Sequence, residues 1–296
     1  MASMKKMDNR FFQIGSYEKA FPEEVSLRDM LCVSKDTGYD FFEISIDRTE
    51  KRIKRLYCDE FWMELETILH NSPLKIGSIC LSALGTYTLG NADENNRQRS
   101  VDIFKNAVLF AERFGIPILQ IPACDVPKLD IRTKQTDKLF FENLKLMIEY
   151  ASIHGVIIGL ENMENDYMDS VRKCMRAIDH IGSPYFQLYP DAGNITSAAL
   201  LSNGDVVEDM WSGRNHYIAF HLKETRPNKY GGLFYGEGHV DFGLTTKCAW
   251  NLGTRRFVME YWYTGNSEWK SDLKKANELC RSWIQQSFEN KENVEF

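Results

Sequence analysis

The sequence predicts a single-domain α/β fold of the (β/α)8 TIM-barrel type, and three observations predict it. Short β-branched or aromatic runs alternate with longer helical patterns along the whole chain. Such alternation implies βαβ units and a parallel sheet covered on both faces. The alternation repeats eight times in 296 residues, slightly more than the roughly 250 typical of such barrels. No Gly/Ser/Pro-rich linker or change of composition divides the chain, so 1–296 reads as one domain, with 1–10 and 290–296 as peripheral or frayed ends.

The elements follow in order. The first strand is expected at Phe12–Gly15 and the second at Phe41–Ser45, after Gly38 stops a helix. The third is Ile76–Leu81. The apolar positions Val101, Phe104, Val108, Ala111 and Phe114 mark a helix that ends at Gly115, and the fourth strand, Ile118–Ile121, follows it. Leu139, Leu144, Met147 and Ala151 mark the next helix; Gly155 ends it before the fifth strand, Val156–Glu161. Gly182 precedes the sixth strand, Phe186–Pro190, the seventh is Ile218–Lys223, and Gly253 precedes the eighth, Phe257–Glu260. A doubly wound open sheet would carry a Gly-rich nucleotide loop after its first strand. Gly15-Ser16-Tyr17-Glu18-Lys19 stands there instead, so no dinucleotide is expected, and neither a Walker loop nor a G-x-S-x-G elbow occurs.

Composition narrows the function. With 36 Lys+Arg against 42 Asp+Glu the formal charge is −6, which argues against nucleic acid as a partner. No apolar run reaches the roughly 20 residues that span a bilayer, and no signal peptide is visible. The 7 cysteines are scattered without a Cys-x-x-Cys pair and read as reduced packing residues of a cytoplasmic protein.

Parallel barrels do chemistry at the C-terminal ends of their strands. Here four consecutive apolar runs end in Glu161, Asp191, His221 and Glu260, spaced about one βα unit apart. Three converging carboxylates repel one another unless a cation lies between them. Two Glu, one Asp and one His make an O/N ligand set suited to one divalent metal ion: Mn, Mg, Co or Zn. His70, His154 and His180 fall at helix C-terminal regions, His216 at the opposite end of the barrel, and His239 in a loop near the mouth.

With Gly15-Ser16-Tyr17-Glu18-Lys19-Ala20-Phe21-Pro22, Gly38-Tyr39-Asp40-Phe41-Phe42-Glu43-Ile44-Ser45, Cys80-Leu81-Ser82-Ala83, Tyr189-Pro190-Asp191, His221-Leu222-Lys223-Glu224-Thr225 and Gly236-Glu237-Gly238, the chain resembles the xylose-isomerase-like superfamily of metal-dependent barrels. Within it the likeness is to the 3-epimerases of L-ribulose 5-phosphate and L-xylulose 5-phosphate that serve L-ascorbate and pentose use. The resemblance implies metal ligation by Glu161, Asp191, His221 and Glu260, a small sugar phosphate as substrate, and a homodimer. One position departs from the pattern: Leu84 stands where the similar epimerases often carry a His.

A 3-epimerase removes a proton beside a ketone and returns one from the opposite face, which calls for two bases. Glu161 and Glu260 are expected to be that catalytic pair, with Asp191 and His221 holding the ion. Lys19, Lys223 and Arg226 are candidates for the phosphate, Ser82 and Thr86 could add hydroxyl donors, and Asn194 and Glu43 are candidates for the sugar hydroxyls. Tyr17, Tyr87 and Trp262 are expected around the mouth. The rival reading is an aldose–ketose isomerase of a hexulose 6-phosphate on the same barrel.

Overall fold

The computed structural model describes residues 11–289. The expected frayed ends, 1–10 and 290–296, lie outside the described residues. Eight parallel strands appear where the alternation placed them: β1 (Gln13–Tyr17), β2 (Phe41–Ser45), β3 (Ile76–Cys80), β4 (Ile118–Pro122), β5 (Ile157–Glu161), β6 (Phe186–Leu188), β7 (Phe220–Leu222) and β8 (Arg256–Met259). They hydrogen-bond in the order β6-β5-β4-β3-β2-β1-β8-β7. The remaining seam, between β6 and β7, is closed by the bridges Leu188–Tyr217 and Asp191–His221. There Ile218 N–H donates to Leu188 O at 3.0 Å and His221 N–H to Pro190 O at 2.9 Å. β6 and β7 are shorter than the sequence suggested. Pro190 lacks the N–H a continuing ladder needs, so pairing at this seam is broken into single bridges.

The helices covering the cylinder are α1 (Leu27–Asp36), α2 (Glu50–Ile53), α3 (Asp59–Asn71), α4 (Glu94–Phe114), α5 (Lys134–Ile153), α6 (Val171–Ile181), α7 (Ala192–Ser202), α8 (Val206–Ser212), α9 (Phe242–Asn251) and α10 (Trp269–Glu289). Their ends obey local chemistry. Asp93 caps α4 by accepting from Asn96 N–H, and Thr133 and Thr136 form a reciprocal capping box on α5. Gly115 and Gly182 end α4 and α6 at φ 64° and 62°, a left-handed turn that costs a side-chain-bearing residue more. Among the described residues no helix is long and apolar enough to cross a membrane.

Two apolar layers hold the molecule. The larger lies between strands and helices; the smaller fills the cylinder with Tyr17, Phe41, Cys80, Ile118, Tyr189, Ala219 and Val258. The N-terminal end of the barrel is plugged. The Arg256 guanidinium lies 4.1 Å from the Phe41 ring centre and donates to Gly77 O at 3.1 Å. A Cβ on Gly77 would collide with both side chains. The interior is therefore solid from below, and polar groups collect at the other end.

Candidate active site

The site is assembled by strand ends. Glu161 is the last residue of β5, Asp191 follows β6 as the N-cap of α7, His221 is the middle residue of β7, and Glu260 directly follows β8. In a closed parallel barrel these ends share one rim. All four side chains are buried, and one ligand atom from each lies within 4.8 Å of the others. His221 Nδ1 stands 3.0 Å from Glu161 Oε1 and 3.1 Å from Glu260 Oε2. The Lys223 ammonium lies 3.4 Å from Asp191 Oδ1 and 3.6 Å from Glu260 Oε2.

So many buried charges are costly unless each is compensated. Asp191 Oδ1 accepts Asn194 N–H at 2.7 Å, but its Oδ2 is buried without a hydrogen bond. That orphaned oxygen, the carboxylates of Glu161 and Glu260 and one imidazole nitrogen form a donor set that fits a single hard or borderline divalent cation.

The environment drives the acids apart. Burial pushes the Glu161 carboxyl up, and pushes Asp191 up to about 8 against the pull of the Lys223 ammonium. Glu260 is buried as well, which alone would raise it, yet Lys223 and then His221 hold it at about 2. Burial would depress the His221 imidazolium, but the Glu43 carboxylate and its neighbours raise it well above its ordinary value. In the ion-free site the carboxyls are thus pushed in opposite directions.

Beneath the quartet lies supporting structure the sequence reading placed differently. Glu43 was expected at the sugar hydroxyls. It is fully buried instead: its Oε1 lies 2.8 Å from His221 Nε2, and its Oε2 accepts from Ser78 at 2.6 Å and Tyr189 at 2.7 Å. The reason is register: as the middle residue of β2, Glu43 points into the cylinder below the rim. A carboxylate on the far nitrogen of a ligand histidine fixes its tautomer and ring orientation. Glu43→Gln should therefore weaken divalent-ion binding about 10–100-fold in calorimetric titration with Mn²⁺; unchanged affinity would detach Glu43 from the ion site.

The remaining expectations divide. Lys19, Ser82 and Thr86 line a cavity of about 710 Å³ at the mouth, together with Arg48, Lys128 and Arg132. Lys19 pairs with Asp47 at 3.4 Å. Lys223 does not reach this rim but sits among the carboxylates. Arg226 is exposed on the loop beyond β7 and is not part of the cavity wall. Asn194 is buried, its Nδ2 donating to Asn162 O at 2.8 Å, so it braces the backbone around Asp191 instead of facing the cavity. Tyr17 lies inside the cylinder, Tyr87 packs under Arg99, and Trp262 does line the mouth. His239 contacts Thr225 at 3.0 Å. Gln120, not singled out from the sequence, donates from Nε2 to Glu161 Oε2. Its signal was a polar residue inside the apolar run Ile118-Leu119-Gln120-Ile121.

Comparison with known proteins bears on the fold and the family. Residues 33–283 match the family model described as xylose isomerase-like TIM barrel. L-ribulose-5-phosphate 3-epimerase UlaE of Escherichia coli O157:H7 is 30% identical over 275 residues, covering 92% of this chain and 93% of the relative. Among solved structures, an L-ribulose 3-epimerase superposes with TM-score 0.73 at 17% identity, covering 95% of this chain and 97% of that one. The IOLI protein with a zinc atom superposes with TM-score 0.74 at 15% identity, covering 93% and 99%. The solved structures speak for the fold; the sequence relatives are sugar epimerases, and the resemblance read from the sequence holds. The chain belongs to the xylose isomerase-like TIM barrel family and, with these epimerase relatives, is an enzyme of the isomerase class.

Proposed function

We infer that the protein is a 3-epimerase of a ketopentose phosphate, interconverting L-ribulose 5-phosphate and L-xylulose 5-phosphate. One observation carries the reading: two carboxylates from strands three positions apart, Glu161 on β5 and Glu260 after β8, meet at one histidine nitrogen at the barrel mouth. Glu161, Asp191, His221 and Glu260 would hold one divalent ion. Such an ion, when bound, supplies Lewis-acid stabilisation of the negative charge that develops on the C2 oxygen.

The chain's own groups move the proton. One glutamate accepts the C3 proton while the electron pair of the broken C–H bond passes into an enediolate. The other glutamate delivers a proton to the opposite face of C3, and the ketone re-forms with inverted configuration. Running the reaction backwards exchanges their roles. Lys223, held between Asp191 and Glu260, keeps the latter ionised and ready to accept. At the outer end of the cavity, Lys19 and the Ser82 hydroxyl, which is buried without a partner, suit the substrate phosphate. A cytoplasmic homodimer working in L-ascorbate use completes the reading.

The test is incubation with each pentulose phosphate in the presence of Mn²⁺, Mg²⁺, Co²⁺ or Zn²⁺, with product configuration read by chiral analysis. Interconversion of the two C3 epimers is expected. An aldose product, with C3 unchanged, would replace this reading with that of an aldose–ketose isomerase.

A further inference from the structure

We propose that Trp262 is a positioning residue for proton transfer at Glu260, its indole N–H fixing the carboxylate so that the two oxygens take different tasks. The proposal rests on Glu260 being one of the two bases. Trp262 Nε1–H donates to Glu260 Oε1 at 3.2 Å. The other oxygen, Oε2, faces the ligand cluster, 3.1 Å from His221 Nδ1 and 3.6 Å from Lys223 Nζ. Oε1 is thus turned to the indole that forms part of the cavity wall, and Oε2 to the ion site.

The terminal torsion of a glutamate is broad, so an unrestrained carboxylate would swing its plane and turn its outer oxygen away from the reacting carbon. A fixed donor on one oxygen removes that freedom. The indole is itself held. The Lys19 ammonium lies 5.2 Å from its ring centre, and Gly231 packs so closely that a Cβ there would stand 3.0 Å from the ring. Yet Trp262 keeps 37% of its surface exposed. Oε1 offers one lone pair to the indole and retains the second for the C3 proton. A phenylalanine would preserve the wall and remove the donor, which separates this role from mere packing.

Two measurements on the full chain test it. In ¹⁵N spectra, the indole resonance that disappears in Trp262→Phe should shift in Glu260→Gln; an unmoved resonance would show that the contact is absent and overturn the proposal. In deuterated water, Trp262→Phe should lower kcat about 10-fold, with KM and Mn²⁺ affinity within twofold of wild type. With the epimer whose proton Glu161 removes, delivery from Glu260 is slowed, so the enediolate returns to start after solvent exchange. Deuterium in recovered substrate relative to product should then rise several-fold for that epimer only. Wild-type partition in both directions, or a parallel loss of Mn²⁺ affinity, overturns the positioning role. If the wild-type protein interconverts neither epimer, the two-base reading fails first, and the positioning role with it even where the indole contact is intact.

Discussion

Glu161→Gln and Glu260→Gln should each reduce epimerisation by on the order of 10³-fold or more while leaving the fold intact, as read by steady-state rates and circular dichroism. General acid/base groups contribute about 10²–10⁴-fold. Here each glutamine also removes a charged donor from the ion site, so losses at the upper end are expected. Glutamine keeps the volume and one carbonyl oxygen, and the amide can still meet Gln120 or Trp262. Packing is therefore preserved and the loss is chemical. The two variants should not add when combined, because proton removal and proton return act as one unit. A single variant retaining near-wild-type turnover would break the two-base assignment.

Removing divalent ions with a chelator should abolish turnover and leave a protein whose stability falls as pH rises. The sign follows from the site. The Asp191 carboxyl is raised from the ordinary carboxylate range to about 8, chiefly by burial, so the ion-free folded state keeps a proton that the unfolded chain has lost. Stability from that group is present at acid pH and is lost between about 4 and about 8. His221, raised well above its ordinary value by the surrounding carboxylates, acts in the same direction as pH climbs past neutrality. Glu260, lowered to about 2, acts oppositely, but only below the ordinary carboxylate range. Thermal midpoints of the chelated protein should therefore decline from pH 5 to pH 8, and saturating Mn²⁺ should reverse the decline by replacing protons at the carboxylates. A midpoint indifferent to both pH and ion would detach these acids from metal binding.

The four candidate ligands stand out in the sequence because a buried parallel strand reads as an apolar run, against which a carboxylate or imidazole at its end is conspicuous. Glu161, Asp191, His221 and Glu260 each end such a run, and barrel closure makes four consecutive ends neighbours. Glu43 was visible as a polar residue within Phe41-Phe42-Glu43-Ile44-Ser45, but its role depends on depth inside the cylinder, which strand sequence alone does not set. Lys223 shows the same limit. The alternation of β7 places it on the face shared with His221, but how far a flexible ammonium folds back towards Asp191 is decided by tertiary electrostatics. The Trp262 contact depends on the path of the irregular segment that follows β8, which no sequence pattern sets.

The most direct test of the central claim, that proton transfer at C3 is shared by two glutamates, is the position of deuterium after turnover of L-ribulose 5-phosphate in deuterated water. Nuclear magnetic resonance should find the label at C3 of the inverted product, and Glu161→Gln and Glu260→Gln should each lower the amount of that labelled product by on the order of 10³-fold. Deuterium at C1, or inversion at C3 without any uptake of label from solvent by wild-type protein over many turnovers, would contradict the account.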